Sequence, residues 1–257
     1  KWAGQICAFV TAKDMMLATC AKIGMGGGRY QAIQYAGEAI HKLNMQERMT
    51  MSNMAAELGA QAGLISPDET TIEYLKSVNA SILDNWQNYQ IEKPDLNGEV
   101  INLDASSLSP QIAAPHSPEN SSDVDDFKNI SFDIAYIGAC TGAKYTDLMA
   151  AASILKNRKV SSNVCLKVAP ASLRDQQRAE REGIMRILED AGAEFLPNSC
   201  GICAGYGSDR LLKEQVCISS TARNFKGRMG DPSSKVYLAS PYTCLLYTSP
   251  SPRDIGE

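Results

Sequence analysis

At 257 residues, 44% apolar and 21% charged, the chain has an ordinary globular composition and enough length for two domains or one large one. A net charge of −4 gives no electrostatic case for nucleic acid or an anionic membrane, and no run approaches the roughly 18 apolar residues of a membrane span. Eight irregularly spaced cysteines fit a reducing cytoplasm better than a secreted disulfide framework.

Thr11-Ala-Lys-Asp14 has the N-cap and acidic N3 of a capping box, which predicts a helix through Met16, Leu17 and Ala21 stopping at Gly24. Gly26-Gly-Gly28 lacks the frame of a phosphate loop and reads as a flexible turn. Tyr30–Glu38 is an apolar run of mixed period. Met51–Gly63 reads as one small-residue helix, packed closely, with Asn53 and Glu57 four apart on one face. A carboxylate on such a face, taken alone, is expected to be solvated. Pro67-Asp-Glu-Thr70 makes a turn and helix start, continued over Ile72–Leu83. Ser109–Asp126, rich in Ser, Pro, Asp and Asn, reads as an inter-domain passage. The expected division is therefore 1–115, a passage at 116–126, and 127–243. The two histidines, His41 and His116, sit at unremarkable positions, which disfavours a histidine-based hydrolase or a His-rich zinc site.

After Phe127 the pattern alternates: a strand at Phe132–Ile137, a helix at Tyr145–Leu155, a strand at Val164–Val168, a long helix over Leu173–Ala191 capped by Ser172 and ended by Gly192, and a short strand at Glu194–Leu196. Short connections of this kind predict an α/β fold with a mainly parallel, doubly wound sheet. Cys140 follows the first of these strands. Cys200 and Cys203 form a Cys-x-x-Cys pair after the last, so all three can meet at one sheet edge. Three thiolates are one too few for a closed zinc site or a four-cysteine cubane, and a missing protein ligand leaves a metal open to substrate. The competing readings are a redox dithiol and buried small hydrophobes. Arg223 and Arg228 flank a polar loop, and paired guanidiniums suit bidentate carboxylate recognition; in isolation they read as surface arginines. Cys7, Cys20, Cys165 and Cys217 lie in apolar or strand-like contexts and are expected to be structural.

Several stretches together resemble the aconitase superfamily, most closely its 3-isopropylmalate dehydratase large-subunit and homoaconitase-like branch. They are Val10-Thr-Ala-Lys-Asp14, Ser52-Asn-Met-Ala-Ala-Glu57, Pro67-Asp-Glu-Thr70, Ile137-Gly-Ala-Cys-Thr141, Asn198-Ser-Cys-Gly-Ile-Cys203 and Arg223-Asn-Phe-Lys-Gly-Arg228. The resemblance implies three-layer α/β/α domains and a [4Fe–4S] cluster held by Cys140, Cys200 and Cys203. It implies a hydro-lyase acting on a hydroxy-carboxylic acid, in an amino-acid (leucine) biosynthetic setting. Arg223 and Arg228 match positions that grip substrate carboxylates, Glu57 a catalytic carboxylate that bonds the hydroxyl, and Asn53 a residue beside the cluster. It implies a small swivel-domain subunit as partner, and no nucleic acid or membrane. Gly142 stands where relatives commonly have Asn, and Ala222 where some have Asn.

The resemblance also implies a fragment, inactive alone, because the family's Gly-Asp-Ser-His-Thr stretch and its swivelling domain have no counterpart here. Cys244–Glu257 departs from the family pattern, reads like translated adapter sequence, and is expected to be a disordered, non-native tail without core contacts, Cys244 included. Two other functions remain open. One is a non-catalytic cluster- or zinc-binding remnant acting through a partner. The other is a thiol–disulfide oxidoreductase using Cys200 and Cys203, which requires a lowered thiol pKa.

Overall fold

Local signals in the sequence become elements in the computed structural model, which describes residues 1–90 and 98–249. After β1 (Trp2–Ala3), α1 (Ala12–Ile23) begins with the capping box read from the sequence: Thr11 caps it, Asp14 returns the bond, and Gly24 ends it at positive φ. β2 (Ala32–Tyr35) leads to α2 (Glu38–Lys42), α3 (Met45–Met54), β3 (Ala62–Ile65) and α4 (Glu69–Ser77). β4 (Leu103–Asp104), β5 (Gln111–Ala113) and β6 (Ser121–Asp123) follow. Then come β7 (Ile134–Ile137), α5 (Tyr145–Leu155), β8 (Cys165–Val168), α6 (Leu173–Arg181), α7 (Ile184–Asp190) and β9 (Ala193–Phe195). β10 (Val216–Ser219), β11 (Lys235–Ala239) and α8 (Pro241–Thr248) complete the chain's described elements.

The main sheet has seven strands in the order β6-β5-β11-β10-β7-β8-β9. β7 to β11 run parallel, and β5 and β6 join one edge antiparallel. Period-2 alternation divides its side chains. Ile134, Tyr136, Cys217, Val236 and Leu238 face a core built with α1 and α3, through Met15, Met16, Leu17, Met51 and Met54. Ala135, Ile137, Leu166, Val168, Ile218 and Ala239 face the other core, built with α5, α7 and α8. The fold is thus α/β in three layers, as expected. Each fully buried Leu or Met contributes roughly 1.5–3 kcal/mol of burial. Among the described residues no helix is long and apolar enough to cross a membrane.

Several expectations are corrected. Met51–Gly63 is not one helix: α3 starts at Met45, a 3₁₀ turn spans Ala55–Leu58, and Gly59 turns left-handed so that β3 can pair with β2. The Ile72–Leu83 helix stops at Ser77. Leu173–Ala191 is two helices because Gly183 adopts a left-handed φ of 75°. The presumed inter-domain passage supplies β6, and β5 just before it, so 116–126 is sheet edge and one core unites residues from both sides of it. α1 packs across both strands, and Asp14 accepts from Gln111 N at 2.9 Å.

The tail expectation fails over its described part. Ser240 caps α8 with Pro241 in its first turn, and Cys244, Leu245 and Thr248 fall on one face and are buried against the sheet and α5. Residues 250–257 lie outside the described residues.

Candidate active site

β7 and β10 are parallel neighbours, so the loops that follow them leave the same sheet edge. Ser220 ties these loops together. Its Oγ accepts from Gly138 N at 3.0 Å and donates to Gly142 O at 2.9 Å, while its own N–H donates to Tyr136 O at 3.0 Å. Gly142 is required for that closeness: a Cβ there would overlap the Ser220 backbone and side chain. The first loop carries Cys140, exposed after Ala139 at a left-handed φ of 69°. The second carries Arg223.

From the opposite side, α1 inserts Lys13, which is 3% exposed. Its Nζ donates to Ser220 O at 2.7 Å and also to Thr221 O, fixing the backbone just before Arg223. Burial lowers the Lys13 amine to about 8, with the Cys244 and Asp147 charges opposing and Lys144 adding to the shift. Sequence reasoning passed over Lys13 and Asp14 as functional residues. The available signal was two adjacent charges at helix positions whose neighbours, Met15, Met16 and Leu17, are all core.

The 3₁₀ turn after α3 brings in Glu57. Its carboxylate is buried, not solvated as expected for the residue alone, and Oε1 accepts from Arg223 Nε at 2.5 Å. Burial raises the Glu57 carboxyl above its ordinary range, although Arg223 foremost, then Lys13 and Arg228, pull it down. One turn earlier, Asn53 Nδ2 lies 3.5 Å from Cys140 Sγ.

Cys200 is exposed and Cys203 buried, on a 3₁₀ turn spanning Gly201–Ala204. Burial pushes the Cys203 thiol up. The Arg228 guanidinium draws it down, and Cys140 and Cys200 push it up again, so the three sulfurs and Arg228 share one field. Among the described residues no three of His, Cys, Asp and Glu converge to hold a single metal ion. An iron–sulfur cluster asks for less convergence, because each cysteine binds a different iron. The donor set fits such a group: three thiols on two loops, an amide at Cys140, and two buried polar atoms, Tyr136 Oη and Arg228 Nε, without a partner among the described residues.

All seven residues singled out from the sequence therefore fall in one region. Of the other cysteines, Cys20 and Cys217 are buried in the core that also holds Cys203, Cys165 is half-buried in β8, and Cys7 is exposed, its Sγ 3.2 Å from Ser106 O.

Comparison with known proteins shows the family. The family model described as "Aconitase family (aconitate hydratase)" matches residues 1–129 and 123–249. A 3-isopropylmalate dehydratase large subunit 1 of Archaeoglobus fulgidus is 40% identical over 93% of this chain and 56% of its own length. Its namesake in Pyrococcus furiosus is 40% identical over 98% of this chain and 60% of its own length. The 3-isopropylmalate dehydratase large subunit of a Hydrogenobaculum species is 41% identical over 93% and 55%. The chain thus spans somewhat over half the length of these relatives.

Proposed function

The chain belongs to the aconitase family, and from that premise we propose that it is the cluster-binding portion of an iron–sulfur hydro-lyase acting on a hydroxy di- or tricarboxylic acid such as 3-isopropylmalate. The observation that carries the reading is the single region where Asn53 meets Cys140, Glu57 pairs with Arg223, and Arg228 acts on Cys203.

Cys140, Cys200 and Cys203 would hold a [4Fe–4S] cluster, which would supply Lewis-acid activation of the departing hydroxyl. Arg223, about a third exposed beside its buried partner, offers its free guanidinium edge to a substrate carboxylate, and Arg228 takes another. Glu57, biased by burial toward its protonated form, donates to or accepts from the substrate hydroxyl while holding Arg223 in orientation. Lys13 keeps the Arg223 loop rigid against the Cys140 loop. Asn53 orients the Cys140 sulfur.

The relatives' name, large subunit, supports a small-subunit partner that completes the site. On this reading the chain alone is inactive, works in the cytoplasm, and serves amino-acid (leucine) biosynthesis.

The test is anaerobic reconstitution with iron and sulfide, read by iron content and EPR. About four irons per chain, one of them lost on mild oxidation, are expected. Cys140→Ser, Cys200→Ser and Cys203→Ser should each abolish that cluster. Tight zinc binding in place of a cluster would instead favour the partner-binding remnant.

A further inference from the structure

Among the described residues Tyr136 is the largest fully buried side chain, and no hydrogen-bond partner reaches its hydroxyl there. An unpartnered buried hydroxyl is a cost to stability, and phenylalanine at the same place would avoid that cost. The position is not apolar by accident of packing. Strand alternation sends Tyr136 to the sheet face that carries Ile202, Cys203 and Cys217. The ring tip lies beneath Gly138, where any Cβ would overlap Cζ and Oη. The chain therefore leaves the turn open at Gly138, and the phenol reaches the base of the loop that presents Cys140 two residues later.

The surroundings of the hydroxyl are rich in sulfur. Burial raises the phenol well above its ordinary range, and Cys203, then Cys217 and Cys200, push it further. It stays protonated and so keeps a proton to donate, which is what a sulfur acceptor would need. Cys217 is itself a fully buried, protonated thiol and a weak acceptor; a thiolate committed to iron is a strong one.

We propose that the Tyr136 hydroxyl is a donor reserved for the sulfur of the cluster-loaded site. The inference rests on the cluster reading above. Tyr136 acts as a positioning and tuning residue: an O–H···S bond stabilises the more negative, reduced form and raises the reduction potential. In the metal-free chain the same hydroxyl is a cost.

Opposite effects in the two states make the test. Tyr136→Phe should leave the melting temperature of the metal-free chain unchanged or higher, because only an unpaired hydroxyl is removed. In the reconstituted chain the same variant should move the cluster's midpoint potential to a more negative value, followed by EPR during a redox titration. Transfer of the wild-type holoprotein to D₂O should shift its iron–sulfur stretching bands in resonance Raman spectra. Equal potentials in wild type and variant, or wild-type bands insensitive to D₂O, overturn the proposal while leaving the cluster reading intact. A marked fall in the melting temperature of the metal-free variant overturns it too, since the hydroxyl would already have a partner. Failure of the wild type to take up any cluster sinks the underlying reading and this inference with it.

Discussion

Arg223 Nε sits 2.5 Å from Glu57 Oε1 across 166 residues of chain, with the carboxylate side chain 2% exposed and the guanidinium 35% exposed. The pair is lopsided: the buried partner bears most of the desolvation, and the other keeps a wet edge for a further anion. That asymmetry gives the first prediction.

Burial raises the Glu57 pKa in the folded chain above its unfolded value. The folded state therefore holds the proton where the unfolded state has lost it, and stability falls as pH climbs from the unfolded toward the folded pKa. Glu57→Gln removes that dependence. Its melting temperature should match wild type near pH 4 and exceed it at pH 7 to 8. Thermal melts at both pH values check this. A variant that loses more stability at pH 8 than at pH 4 contradicts it.

The thiols should separate by exposure. In the metal-free chain, Cys7, Cys140 and Cys200 are open to reagent, while Cys20, Cys217 and Cys244 are buried, and Cys203 is buried with a raised pKa. Alkylation at pH 8 followed by peptide mass spectrometry should label the exposed three first and Cys203 slowly. Cluster loading should then protect Cys140 and Cys200 and leave Cys7 reactive, an internal control. Protection of Cys7, or labelling of Cys140 in the loaded chain at the metal-free rate, counts against the ligand assignment.

Leu245 tests the corrected C-terminal segment. It is fully buried between α8, α5 and the sheet, so Leu245→Ala should cost about 2–5 kcal/mol, measured as a shift in the urea midpoint at constant slope. A change under about 0.5 kcal/mol would return α8 to the status of a dispensable tail.

Much of the fold was legible because its signals are local. The Thr11 and Ser172 caps, the Gly24 and Gly192 stops and the α5 boundaries are each written in a few adjacent residues. The errors arose where distant contacts decide. β3 is small and weakly apolar and becomes a strand only because β2 pairs with it. β5 and β6 are polar enough to resemble a linker, yet β11 and α1 recruit them. The same holds for the site. The cysteine and arginine motifs announce themselves, whereas Lys13 acquires meaning only through Ser220, 207 residues away.

The strand order β6-β5-β11-β10-β7-β8-β9 sets the sequence of events during synthesis. The hairpin at 111–123 and the strand at 134–137 leave the ribosome early, yet they are separated in the sheet by two strands made some eighty or more residues later. Until residues 216–239 are made, the sheet cannot close between β5 and β7, and the strand edges that β11 and β10 cover have no partner from this sheet. The last insertion also delivers Arg223 to Glu57. Assembly of the binding region and closure of the sheet are then one event, and a chain arrested before it would expose sticky edges to any chaperone, or any second copy, within reach.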